Sequence, residues 1–302
     1  MFVVRLINGF TSGILTPAAF TYLTLYSKSK KSGKTMAFAA AAVGLAAISA
    51  PAFSGIFSER ISYAFVYQNV GLVMMFCGII ALLLLKPVEK EQDKLEKTTN
   101  TLSEYLSLFK KPSIVFGYLG AFSLAFCQGI LAYMLPLKVD AMDAGERISG
   151  ILISVYGIMA ILFFLLPSNR IFDKFRNEFL LPIGMLVVAG SLLTIAYGTT
   201  LNILFAAMSV YGIGFAILFP SNASLVARNS DQEIRGKGFG LLYAFISLGS
   251  MTGTFLTGSF SMTTTEGFVT AALFMLIVSI TVFVLARKTV SASTDRTHHI
   301  NG

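Results

Sequence analysis

Apolar residues occur along this chain in long stretches, separated by short polar segments. Each stretch is about 20 residues long, the length that a helix needs to cross about 30 Å of hydrocarbon. The pattern therefore predicts an all-α polytopic membrane protein of about nine transmembrane helices. The predicted spans are 3–25, 36–57, 67–85, 113–135, 150–167, 179–198, 201–226, 238–258 and 267–286.

Composition strengthens this interpretation. Hydrophobic residues make up 55% of the chain, charged residues only 13%, and the mean hydropathy is +0.75. An ordinary soluble protein carries about 25% charged residues, and a soluble fold could not bury this much apolar surface. Cys77 and Cys127 both fall inside predicted spans, where a thiol behaves as a small hydrophobe. No cofactor or metal site is predicted, because His298 and His299 alone make a poor ligand set.

The net charge of +8 is distributed in a way that predicts topology. Basic residues concentrate in alternate loops, and by the positive-inside rule these loops face the cytoplasm. With nine spans, the C-terminus is then cytoplasmic and the N-terminus lies outside. A nucleic-acid partner is not expected, because the charges do not form a patch on a soluble domain. The basic segments are 28–34, 86–111, 170–176, 228–237 and 287–296, and the intervening loops carry only Arg60, Lys138 and Arg147.

One long polar segment divides three predicted spans from six. Thr101 and Glu104 fit a capping box, and the apolar residues that follow have helical spacing, which predicts a short amphipathic helix on the cytoplasmic surface. The predicted organisation is an N-terminal bundle of three helices (1–86), a cytoplasmic linker (87–112), a six-helix bundle (113–288) and a cytoplasmic tail (289–302).

The chain contains an internal repeat. A shift of 203 positions aligns spans and loops in the same order, without a gap. By this repeat, the counterpart of the second half would begin about 90 residues before Met1, so three helices are expected to be missing from the first half. Two related six-helix halves are the architecture of transporters that rock around a midplane site. The matched pairs are Gly9 with Gly212, Pro17 with Pro220, Gly33 with Gly236, Lys34 with Lys237, and Gly55, Phe57 and Ser58 with Gly258, Phe260 and Ser261.

Three segments carry recognisable motifs. The first span has Arg5, Asn8 and Gly9 in order, the second has small residues around Pro51, and the loop 169–177 places Asp173 among basic residues. With these motifs, the chain resembles the major facilitator superfamily over essentially its whole length, and within it the proton-coupled drug exporters. The resemblance implies the last nine helices of a twelve-helix transporter.

The resemblance gives the first motif a role in proton coupling, carried by Arg5 and Asn8, where Asn8 replaces the family's usual Gln. A charged side chain at the centre of a span is costly and is a functional suspect. The alternative is that Arg5 extends to the outer surface.

The second motif implies a packing contact between gating helices, carried by Ala50, Pro51, Ser54 and Gly55. Small residues at this spacing let helix backbones approach closely, and proline bends the span. Generic small-residue packing explains the pattern equally well.

The third motif implies a cytoplasmic gate formed by Arg170, Asp173 and Arg176, whose ion pairs break as the halves rock. Plain positive-inside charge is the alternative for the two arginines.

A few polar side chains within the later spans are candidates to line a central cavity. Each of them could instead bond a neighbouring helix. These candidates are Gln128, Tyr133, Tyr156, Asn222 and Tyr243.

Together these features predict a multi-pass transporter of the cell membrane that exports small amphipathic molecules in exchange for protons. Its expected partners are the lipid bilayer, a small-molecule substrate and the proton. The alternative is a non-transporting, truncated remnant that requires a complementary N-terminal fragment, and on this basis the chain alone is expected not to transport. An enzyme is not predicted, because the spans hold no His, no Cys pair and no carboxylate pair.

Overall fold

A computed structural model of the chain describes residues 2–26, 46, 50, 53–58, 60–85, 102–165, 177–230 and 234–300. Within these ranges the secondary structure is helical. The helices are α1 (Phe2–Tyr26), α2 (Tyr63–Leu84), α3 (Leu102–Phe109), α4 (Pro112–Asp140), α5 (Gly145–Leu165), α6 (Asn177–Tyr197), α7 (Leu201–Asn229), α8 (Arg235–Ser259) and α9 (Thr264–Ile300).

The chain forms two compact units, Met1–Ser49 and Ala50–Gly302. The first contains α1. The hydroxyl of Thr11 donates there to the carbonyl oxygens of Ile7 and Asn8, at 3.0 Å each. These bonds satisfy a polar side chain within its own helix, as apolar surroundings require.

Seven described helices are long and apolar enough to cross a bilayer. They agree with the last seven predicted spans to within a few residues. Helix α1 covers the predicted first span 3–25, and its described apolar stretch is Leu6–Leu15. The predicted second span, 36–57, falls mostly outside the described residues, so the count of nine stays a prediction. The seven are Tyr63–Leu84, Pro112–Asp140, Gly145–Phe163, Glu178–Tyr197, Leu201–Asn229, Gly236–Ser259 and Thr264–Arg287.

Helices α4 to α9 pack into a bundle with α4 at its centre. Helix α4 contacts α5, α6, α7, α8 and α9, whereas α6 packs mainly between α7 and α9. Helix α4 is apolar on all sides and buries most of its length, as a helix without a polar face should. Helix α2 is just as apolar but buries none of its residues. In a bilayer such a surface meets lipid or another helix.

The tightest seam in the bundle joins α4 and α8. A Cβ atom placed on Gly249 or Gly253 would come 2.3 Å from the carbonyl oxygen of Phe122 or Phe126. Only glycine permits so close an approach of two backbones, which is how helices in membranes commonly pack. The hydroxyl of Thr254 donates to the carbonyl oxygen of Gly129 across the same seam, at 3.3 Å.

The short helix predicted before the bundle is confirmed as α3. Leu108, near its end, has no exposed surface and packs with Ile114 and Tyr118 of α4. The proposed capping residue Thr101 lies outside the described residues. An unpredicted capping box begins α9, where Thr263 and Glu266 each accept from the other's backbone N–H.

Candidate functional site

The predicted packing motif contributes one residue to a close interhelix contact. Gly55 is buried in the helical turn 53–58, and a Cβ atom at this position would lie 3.0 Å from the carbonyl oxygen of Glu146 and 3.2 Å from the Cα of Gly150. Of the other motif residues, Ser54 is half-buried, Ala50 is exposed and Pro51 lies outside the described residues. The turn therefore meets the first part of α5 backbone to backbone.

A polar contact lies close to this glycine contact. The Tyr63 hydroxyl, at the start of α2, donates to the Glu146 carboxylate at the start of α5. Phe57 links the turn to α2, because its ring stacks on Phe65 with the centroids 5.7 Å apart. The contacts of Gly55 and Tyr63 therefore join the turn 53–58 and the start of α2 to α5. Tyr63, Glu146 and Gly150 could not be predicted from the sequence, because contacts between segments about 90 residues apart leave no local pattern.

A second group of side chains lies between α4, α5 and α7. The side chain of Gln128 lies within hydrogen-bonding reach of the Tyr156 hydroxyl. The Tyr156 ring meets Tyr211 and Phe215 edge to face, with centroid distances of 5.6 and 5.7 Å. Two predicted cavity residues, Gln128 and Tyr156, are therefore brought together. We call Gln128, Tyr156, Tyr211 and Phe215 the aromatic cluster.

Tyr211 has no exposed surface, and its hydroxyl has no hydrogen-bond partner among the described residues. An unpaired buried hydroxyl costs about 1–3 kcal/mol. The position is held by Gly212, which lies against the backbone of Tyr156. Tyr211 was not among the predicted site residues, although its neighbour Gly212, which belongs to the internal repeat, indicated this position.

The other predicted cavity residues lie elsewhere. Asn222 is only 3% exposed, and its amide oxygen is unpaired among the described residues and faces Gly120 of α4. Tyr133 on α4 and Tyr243 on α8 are exposed. The aromatic cluster as defined above does not include these three residues. Their role as cavity lining stays a prediction.

The remaining predicted sites are only partly described. Asn8 is exposed on α1, and its side-chain oxygen accepts from the hydroxyl of Ser12 at 3.2 Å. The side chain of Arg5 lies outside the described part of α1. Arg170, Asp173 and Arg176 all fall in the segment 166–176, which is not described. Among the described residues, no group of three His, Cys, Asp or Glu could hold a metal ion.

The bundle of bilayer-length helices defines a multi-pass membrane protein. A sequence model of the Major Facilitator Superfamily matches residues 1–201 and 142–299, nearly the whole chain. The chain therefore belongs to the Major Facilitator Superfamily, and the relatives it matches are transporters. Its family and its bilayer-length helices place it in the lipid bilayer.

Individual relatives are distant. The chain is 20% identical to an uncharacterized MFS-type transporter of Methanocaldococcus jannaschii, over 83% of the chain and 65% of that protein. It is 22% identical to the multidrug resistance protein MdtG of Escherichia coli, over 86% of the chain and 64% of that protein. A segment of 85 residues is 32% identical to the vesicular acetylcholine transporter of Torpedo marmorata, which is 28% of the chain and 17% of that protein. The chain spans no more than about two thirds of the length of these curated relatives.

Proposed function

We propose that this chain acts in the export of small amphipathic molecules across the cell membrane in exchange for protons. The similarity to MdtG, named a multidrug resistance protein, and the motifs of the drug exporters support the proposal. The observation that carries it is the close contact of Gly55 with α5, at the position where the exporter-like motif implies packing between gating helices.

The charge pattern assigns this contact to the outer end of the spans, with the C-terminus in the cytoplasm. A transporter that alternates its access must separate such a contact in each cycle. Gly55 and Gly150 allow the two helices to approach closely in the closed state, and no bond between these two residues has to break when the helices separate. The hydrogen bond from Tyr63 to Glu146 adds a modest preference for the closed state.

The aromatic cluster is the proposed substrate contact. The partly buried rings of Tyr156 and Phe215 offer apolar faces, and Gln128 and the Tyr156 hydroxyl offer hydrogen-bonding groups beside them. None of its four members carries a charge, so an amphipathic aromatic molecule fits it better than an anion. Arg5 and Asn8 in proton coupling, Arg170, Asp173 and Arg176 in a cytoplasmic gate, and a complementary N-terminal fragment all remain proposals.

The test compares everted membrane vesicles from cells with and without the gene, using ethidium as substrate and a pH-sensitive dye. We expect wild-type vesicles to accumulate ethidium and to release protons on its addition. Equal behaviour of the two vesicle preparations would refute export and favour a chain that does not transport.

Substitution of Gly55 tests the contact itself. Gly55→Leu should oppose closure by about 1–3 kcal/mol, which is roughly a 5- to 150-fold shift in population, and should lower ethidium transport accordingly. Gly78→Leu is the matched control, because a Cβ atom on Gly78 of α2 meets no described atom within 4 Å. Immunoblots of the membranes verify equal amounts. If both variants transport equally, the Gly55 contact has no gating role.

A further inference from the structure

Helix α3 is fixed to the bundle by one of its faces. Leu108 is completely buried in a cluster with Tyr118 of α4, Val226 of α7 and Leu242 of α8. Because these residues belong to three different helices, α3 covers the end of the seam where they meet. Its orientation relative to the bundle is therefore set by apolar packing.

Polar contacts strengthen the same orientation. Glu104 forms an ion pair with Lys237 at the start of α8, and that ammonium group also lies 5.8 Å from the centre of the Tyr105 ring. The Lys111 ammonium donates to the carbonyl oxygen of Asn229 at the end of α7, at 3.0 Å. The single carboxylate of α3 is thus already neutralised by a cation of the bundle.

The other face of α3 remains apolar and uncovered. Leu106 is 53% exposed and Phe109 is 42% exposed. The Phe109 ring also lies 5.8 Å from Tyr118 and 6.3 Å from Phe245, both inside candidate membrane spans. Tyr118 is about 9 Å along α4 from its first residue, at 1.5 Å per residue. Phe109 therefore adjoins the early turns of two candidate membrane spans, and apolar residues beside the ends of spans are suited to contact lipid.

One exposed cation directly follows Phe109 in the chain, and another lies near the end of α7. Lys110 and Arg228 are exposed, and Arg228 immediately precedes the residue to which Lys111 donates. We call Lys110, Lys111 and Arg228 the basic corner. The described carboxylates near it are Glu104, which is paired with Lys237, and Glu178, which accepts from Ser113. Among the described residues, the exposed side chains of Lys110 and Arg228 give the corner its positive charge.

We propose that the basic corner, together with Leu106 and Phe109, binds an anionic phospholipid of the bilayer. The phosphate group would lie against Lys110 and Arg228, and an acyl chain would cover the two apolar side chains. Charge complementarity and the continuity of this surface with the membrane spans both select a lipid as the occupant. The inference depends on membrane insertion and not on the proposed export activity.

The test uses the purified full-length chain and native mass spectrometry with phosphatidylglycerol or phosphatidylcholine added to the detergent. We expect wild-type protein to retain phosphatidylglycerol preferentially. Lys110→Gln and Arg228→Gln should each weaken that binding about fivefold, leaving phosphatidylcholine binding unchanged. Both residues are exposed, so the fold should be preserved, and circular dichroism verifies it.

Two further experiments test whether the bound molecule is a lipid and whether it binds at this corner. Arg147→Gln removes an exposed cation at the other end of the bundle and should leave the lipid preference intact. Inorganic phosphate at millimolar concentration should not displace the lipid, whereas it would displace a ligand held by its phosphate alone. Equal retention of the two lipids by wild-type protein, or an unchanged preference in both corner variants, would overturn the proposal.

Discussion

Gly212 of α7 lies directly against the backbone of Tyr156 of α5, and a Cβ atom at residue 212 would come 2.4 Å from the Tyr156 carbonyl oxygen. Gly212→Ala must therefore push α5 away from α7. We expect this substitution to lower the free energy of unfolding by about 1–3 kcal/mol, the usual cost of overpacking. Denaturant titration in detergent micelles, followed by circular dichroism, measures the change.

Gly190→Ala provides the matched control for Gly212. A Cβ atom on Gly190 of α6 meets no described atom within 4 Å. Alanine is the better helix former by up to about 1 kcal/mol, so this variant should be as stable as wild type or slightly more stable. Equal destabilisation by the two substitutions would show that the close approach at Gly212 is not the cause.

Two buried tyrosines should respond in opposite ways to the loss of a hydroxyl. The Tyr118 hydroxyl donates to the Gly238 carbonyl oxygen at 3.1 Å, whereas the Tyr211 hydroxyl has no partner among the described residues. Tyr118→Phe should lower the free energy of unfolding by about 1 kcal/mol. Tyr211→Phe should leave it unchanged or raise it by about 1 kcal/mol. Thermal unfolding in detergent compares the two. A larger loss for Tyr211→Phe would indicate a bound water or ligand at that hydroxyl.

The capping box of α9 should stabilise the first turn of that helix. The Thr263 N–H donates to Glu266 at 2.8 Å, and the Glu266 N–H donates to the Thr263 hydroxyl at 3.3 Å. Thr263→Ala should cost about 1 kcal/mol, and Thr263→Ser should cost little because it keeps the hydroxyl. Hydrogen exchange of the amides in the first turn is the direct measurement. Unchanged protection in the alanine variant would contradict a stabilising box.

The ion pair between Glu104 and Lys237 should couple α3 to α8. The Lys237 side chain is only 13% exposed, so the pair is shielded more than a surface pair. A double-mutant cycle with Glu104→Gln and Lys237→Gln should give a coupling energy of up to about 1 kcal/mol. Lys237→Gln alone should cost more than Glu104→Gln, because it also removes the contact with the Tyr105 ring. Additive single effects would show that the pair does not hold α3.

Several features followed from the sequence directly. The seven observed spans agree with predicted ones because the thickness of the bilayer fixes helix length, and because backbone groups in lipid must be bonded within the helix. The amphipathic helix α3 was also predictable from its local spacing. Gln128 and Tyr156 could be chosen as candidates because polar side chains are rare in spans, but the pattern gave no indication that they contact each other or Tyr211.

The sequence by itself thus determined the helices, their family and the likeness of one glycine-containing segment to a gating motif. Only the tertiary structure decided that Gly55 meets Gly150, that Tyr63 bonds to Glu146 and that Asn222 is buried against Gly120. The physical reason is that lipid is as apolar as the helices, so burial of apolar surface does not identify which faces meet. Close approach of small residues and a few hydrogen bonds select the partners, and both depend on residues far apart in the chain.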